Sequence, residues 1–241
     1  MKKITMKDII YLIVIVLLLA STVTMSVLYA KLKANKKEEP APSYYDQKCA
    51  AFALENANLS EGQIVFIGDS ITDGYRLNNY YNDLPLATYN RGIGGDVTSG
   101  VIARLKTSVI DLKPAKVIMM IGINDINIGR TNDEIMTNYK KIIEEIQTNL
   151  PATEIICESV LPMDNRVTAW GIDLPKTIQK IKDLNARIKT YVESKGILFV
   201  DLFTPFADEN DQQIPSYSYD GLHPNADGYA VWTSVLKPLL Q

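Results

Sequence analysis

Five short apolar runs, separated by longer stretches of helical period, constrain this chain more than any other feature. They are Ile64-Val65-Phe66-Ile67, the brief Ala87-Thr88-Tyr89, Val117-Ile118-Met119-Met120-Ile121, Ile155-Ile156-Cys157 and Ile197-Leu198-Phe199-Val200. Runs of this length with little polar alternation read as strands buried on both faces. The segments at about 97–112, 131–149 and 175–195, and a last one at about 224–238, read as helices. In the second of these, Ile135, Tyr139, Ile142, Ile143 and Ile146 recur at steps of three and four and fall on one face. Such alternation predicts an α/β fold with a parallel sheet covered by helices on both sides. Ligands then sit at the carboxyl ends of the strands, so the loops leaving those ends are where chemistry is expected.

Ahead of the alternating part, Ile9 through Ala30 carry no charge and are long enough to cross a bilayer as a helix. Lys2, Lys3 and Lys7 precede the run as in a secretory leader. The run is longer than a signal h-region, however, and has no clear small-x-small cleavage site. A buried core helix fits poorly, because no polar face interrupts it. The expected division is a basic segment 1–8, a transmembrane signal anchor 9–30, a solvated tether 31–46 containing Pro40-Ala41-Pro42, and a single domain 47–241. Lys31, Lys33, Lys36 and Lys37 balance the leading lysines, so charge does not orient the span. The usual behaviour of signal anchors places the domain outside the cytoplasm, single-pass at the cell membrane, or secreted if the segment is cleaved.

Residues 1–46 hold 7 lysines and 4 acidic residues, which leaves 18 basic against 24 acidic residues in the remainder. A domain of net charge −6 argues against a nucleic-acid partner. Cys157 lies inside an apolar run and is expected as a small core residue rather than the disulfide partner of Cys49. One histidine and two separated cysteines cannot supply the usual zinc ligand set, and Asp208-Glu209-Asn210-Asp211 lacks the spacing of a calcium loop. No metal or other cofactor is expected.

Four loops carry candidate chemistry. Gly68-Asp69-Ser70 leaves the first strand, where a serine hydroxyl can be presented on a rigid edge; the same tripeptide also serves as a plain helix cap. Asn90-Arg91-Gly92-Ile93-Gly94-Gly95-Asp96 leaves the second, with backbone amides able to meet an anion, although it lacks the position and spacing of a dinucleotide fingerprint. Gly122-Ile123-Asn124-Asp125 leaves the third, and its asparagine is either an uncharged double donor or a turn residue. Asp220-Gly221-Leu222-His223-Pro224 contains the only histidine, with a carboxylate three residues upstream that can fix its tautomer.

Taken together and in order, these segments resemble the four sequence blocks of the SGNH (GDSL) hydrolase family, across about residues 60–238. The resemblance implies a three-layer α/β/α sandwich around a flavodoxin-like five-stranded parallel sheet. It implies Ser70 as nucleophile, His223 as general base and acid, and Asp220 as its orienting partner. The Ser70 N–H, the Gly95 N–H and the Asn124 amide would form the oxyanion hole, the choice of Gly95 over Gly94 resting on its place before Asp96. The activity implied is hydrolysis of a carboxylic ester through an acyl-enzyme, without cofactor. A small acyl group such as acetyl on a carbohydrate is expected, because no long apolar lid is evident. Tyr75, Tyr80, Tyr81, Trp170, Tyr217 and Tyr219 are expected near the site, with Trp170 as a substrate contact. Alternatives are a lysophospholipase, a thioesterase or an acyltransferase on the same fold, or a silent membrane-tethered binding module.

Overall fold

The structure is a computed structural model that describes residues 4–35 and 41–241. The chain divides between Pro42 and Ser43 into two compact units. Helix α1 (Met6–Asn35) belongs to the first. Its segment Met6–Lys31 has a mean hydropathy of 2.5 and is long and apolar enough to cross a membrane. At 1.5 Å per residue those 26 residues rise about 39 Å, more than a hydrocarbon core requires. The helix continues past the expected end of the span at Ala30, while Lys2, Lys3 and residues 36–40 of the expected tether lie outside the described residues.

The second unit opens at Ser43, four residues before the expected boundary at 47, and its first helix is α2 (Tyr44–Glu55). A capping box sets this start: the Ser43 side chain accepts from Asp46 N, and the Asp46 carboxylate accepts from Ser43 N. Five strands follow, β1 (Ile64–Gly68), β2 (Thr88–Gly92), β3 (Lys116–Met120), β4 (Glu154–Glu158) and β5 (Leu198–Val200). All pair in parallel in the order β2-β1-β3-β4-β5, with Gly68 in register with Gly92 on one side and Met120 on the other. This is a flavodoxin-like order, and the chain reverses direction across the sheet between β1 and β3.

Short helices α3 (Ser70–Asp73) and α4 (Asn78–Tyr81) follow β1, and α5 (Thr98–Ser108) follows β2. After β3 come α6 (Ile123–Asn127) and α7 (Asn132–Asn149); α8 (Leu174–Ser194), α9 (Phe203–Phe206) and α10 (Ala226–Leu236) complete the unit. Helices α5, α7 and α8 pack in succession along the sheet, and α2 packs on α5. The result is a three-layer α/β/α sandwich. Ile64 to Ile67 of β1 are almost wholly buried, as a central strand covered on both faces requires.

An aromatic cluster links the sheet to α10. The Tyr75 ring stacks on Tyr229 at 4.6 Å and lies 4.8 Å from Trp232, while Phe66 of β1 meets Tyr75 edge-on. Tyr75 and Tyr81 are therefore core residues rather than site aromatics; the Tyr75 hydroxyl is satisfied by Tyr81 at 2.8 Å and Thr233 at 2.6 Å. Below this cluster Trp232 Nε1 donates to the buried Glu158 carboxylate at 2.6 Å. Burial pushes the Glu158 carboxyl up to about 8, partly offset by that hydrogen bond. Cys49 and Cys157 are free thiols, Cys157 fully buried.

Candidate active site

The loops leaving β1 and β3 flank the point where strand order reverses, and Ser70 and Asn124 lie on them. Gly68 closes β1 because nothing larger fits: a Cβ there would collide with the Thr72 side chain and the Met120 carbonyl. Asp69 caps α3, accepting from Ile71 N at 3.0 Å, and Ser70 is the first residue of that helix. Cap and candidate nucleophile thus coexist: Asp69 supplies the cap, and the Ser70 side chain is left for other partners. Burial pushes the Asp69 carboxyl up to about 7, with the nearby Asp96 and Asp125 adding to the effect beyond what Arg104 offsets.

The Ser70 hydroxyl lies 2.9 Å from His223 Nε2, across 153 residues of sequence. On the other side of the ring, His223 Nδ1 lies 2.7 Å from Asp220 Oδ2. The second Asp220 oxygen accepts from the backbone N–H groups of Leu222 at 3.0 Å and His223 at 2.8 Å. Partial burial raises the Asp220 carboxyl, but these hydrogen bonds from His223 and Leu222 outweigh it and hold the group below the usual carboxylate range. A carboxylate on Nδ1 keeps the proton there and turns Nε2, as acceptor, toward the serine. This arrangement can remove the serine proton and return it to a leaving group.

Asn124, half-buried at the start of α6, donates through Nδ2 to the Asp96 carbonyl at 2.9 Å, which commits one of its two N–H groups. Gly95, immediately before Asp96, has a φ of +77°, a conformation that strains any side-chain-bearing residue. It opens on a shallow depression that it shares with Tyr45 and Gly94. Ser70 and His223 instead open on a cavity of about 550 Å³ whose wall includes Arg76, Asn79, Tyr80 and Tyr219. Trp170 is exposed at the end of a 3₁₀ turn and is not on that wall; Tyr217 packs edge-on against Phe206. Among the described residues no cluster of His, Cys, Asp and Glu is placed to hold a metal ion.

A sequence profile of the GDSL-like Lipase/Acylhydrolase family matches residues 66–231. The chain belongs to the GDSL-like lipase/acylhydrolase family. Human platelet-activating factor acetylhydrolase IB subunit alpha2 is 28% identical over 184 residues, covering 74% of this chain and 75% of the relative. A GDSL-like lipase from Bacteroides thetaiotaomicron is 29% identical with a TM-score of 0.71, covering 82% of this chain and 98% of that one. An acetylxylan esterase from Geobacillus stearothermophilus shares the fold at a TM-score of 0.60 and 23% identity, over 74% of this chain and 94% of its own. A GDSL serine ester hydrolase is what these likenesses describe.

Two polar networks of this GDSL hydrolase were not singled out in the sequence. Arg104, buried on α5, pairs with Asp96 at 2.7 Å and donates to the carbonyls of Gly68 at 2.9 Å and Arg91 at 2.6 Å. One guanidinium thereby joins the ends of β1 and β2 to the Gly95-Asp96 loop. Buried Asp125 accepts from Thr98 N, Thr98 Oγ1 and Arg130, and so fixes the Asn124 turn to α5. The second network holds the histidine loop. Arg166 grips Asp164 through Nε at 3.0 Å and donates to the carbonyls of Ser218 and Tyr219, while Asp164 N donates to the Gly221 carbonyl at 3.0 Å. An Arg in a helical segment and an Arg two residues from an Asp are the only sequence signals, and neither names its distant partners.

Proposed function

We propose that the chain is an esterase that removes small acyl groups, acetyl above all, from a carbohydrate ester outside the cytoplasm. The observation that carries this reading is the unbroken chain from Asp220 through His223 to the Ser70 hydroxyl, with links of 2.7 and 2.9 Å. In it His223 takes the Ser70 proton as Ser70 attacks the ester carbonyl. This reading assigns the oxygen of the tetrahedral intermediate to the Ser70 N–H, the Gly95 N–H and the uncommitted N–H of Asn124, although Gly95 lines a depression separate from the Ser70 cavity. His223 then gives its proton to the departing alcohol, and water activated by the same ring releases the acid. Asp220 stays ionised throughout and stabilises the imidazolium.

Three features support acetyl and sugar. The cavity wall carries hydroxyl and amide groups from Tyr80, Tyr219 and Asn79 rather than a long apolar channel. Aromatic faces with polar tips suit sugar rings. The human relative is named as an acetylhydrolase. The same reading takes Met6–Lys31 as a membrane anchor ahead of a domain that begins at about Ser43. A fluorophosphonate probe applied to wild type and Ser70→Ala tests the nucleophile, and wild type should label while the variant does not. Acetate release from acetylated sugars should then exceed fatty-acid release from lysolipids. Wild-type protein that never labels would overturn the enzyme reading; faster lysolipid cleavage would overturn the substrate class.

A further inference from the structure

Of the six arginines in the chain, five are held by partners: Arg91 by Glu55 and Asn56, Arg104 by Asp96, Arg130 by Asp125, Arg166 by Asp164, and Arg187 by Asp133 and Asp183. Arg76 makes no side-chain hydrogen bond or ion pair with any described residue, and it stands on the wall of the cavity that Ser70 and His223 share. No Asp or Glu is on that wall. The acids nearby are otherwise engaged: Asp220 with His223, Asp73 with Tyr44, Lys48 and Gly94 N, and Asp83 with Lys237. Asp227, on the first turn of α10, is not on that wall and forms no ion pair with Arg76.

We propose that Arg76 is an anion-binding subsite beside the nucleophile, and that the substrate is an acyl ester on a molecule that also carries a carboxylate or phosphate group. The inference rests on the esterase reading and narrows it from a neutral to an acidic glycan ester. A guanidinium offers a rigid fork of donors that matches either anion in a bidentate way. The domain as a whole carries more acidic than basic residues and would not attract an anion at long range, so recognition has to come from a local cation. Asn79 and the Tyr219 hydroxyl, on the same wall, supply neutral hydrogen bonds to the sugar that bears the charge, and the Tyr80 oxygen, whose O–H donates to the Ala226 carbonyl at 3.3 Å, serves only as an acceptor.

The test uses three aryl acetates: 4-nitrophenyl acetate, its ring-carboxylated analogue, and the analogue with a phosphonate at the same ring position. For each protein the kcat/KM ratio of anionic to neutral probe is measured, so that intrinsic leaving-group reactivity divides out between wild type and variant. Arg76→Gln should lower this ratio roughly 10- to 100-fold, the size of a lost charge-assisted contact, and Arg76→Lys should restore part of it. Whichever anion shows the larger drop identifies the source of the charge. An equal ratio in wild type and Arg76→Gln for both anions would overturn the subsite. Fluorophosphonate labelling of Ser70 in every variant reports a folded, reactive site, and a wild type that neither labels nor cleaves the neutral probe would instead sink the esterase reading.

Discussion

Asp220 spends one oxygen on the backbone of the turn it opens and the other on the histidine ring, so the carboxylate that orients His223 also shapes the loop that carries it. Its affinity for protons is held below the usual range, and it remains charged in mildly acidic solution. Asp220→Asn keeps the volume but can present an N–H to the ring and favour the wrong tautomer. The expected fall in kcat is on the order of 10³- to 10⁴-fold with KM little changed, measured by steady-state kinetics on 4-nitrophenyl acetate. On the proposed mechanism, Asn124→Ala removes a donor needed only once the oxyanion forms. Its kcat should drop on the order of 10²- to 10³-fold, and a variant with near-normal kcat would remove Asn124 from that role.

At the scale of elements, the histidine loop is held from outside by Arg166, whose guanidinium bridges Asp164 to the carbonyls of Ser218 and Tyr219. Arg166→Ala leaves Ser70, His223 and Asp220 in place chemically but frees the segment that aligns two of them. A kcat loss of roughly 10- to 100-fold is expected, with faster amide exchange in residues 218–223. Unchanged exchange there would remove Arg166 from this role. The strands and long helices were legible in the sequence within a few residues, because apolar runs and a step of three or four are local signals that burial enforces. Helix α2 was not, although Ser43 and Asp46 form a capping box, because the neighbouring prolines and charges read as tether. The contact among Ser70, His223 and Asp220 was legible because the blocks that carry them are contiguous and resemble those of a family. Arg104 and Arg166 could not, because their partners lie on other elements and only the folded chain brings them together. Tyr75 and Tyr81 misled for the opposite reason: aromatic residues beside a candidate site serve core and pocket equally well, and here β1 and α10 claimed them.

Across the whole domain, folding buries carboxyl groups that would rather hold their protons. Glu158 moves from an ordinary 4.5 up to about 8 and Asp69 from 3.8 up to about 7, both chiefly through burial. Between the unfolded and folded values, the native state keeps a proton that the unfolded chain has already lost. Stability therefore falls as pH rises through this window, from about 4.5 to about 8 for Glu158, and the loss is complete above the folded value. Asp220 and Asp183, held below their usual range, act in the opposite sense, and their contribution disappears only as pH falls below that range. Glu158→Gln isolates the contribution of this one carboxyl. Glutamine keeps an oxygen to accept from Trp232 Nε1 but cannot ionise, so its Tm should fall less between pH 5 and pH 8 than that of wild type, by about 5 °C. Its kcat against pH should retain the wild-type shape, because Glu158 lies beneath the aromatic cluster on β4 and not on the wall of the Ser70 cavity. A Tm slope identical to wild type would show that Glu158 is already ionised in the folded protein.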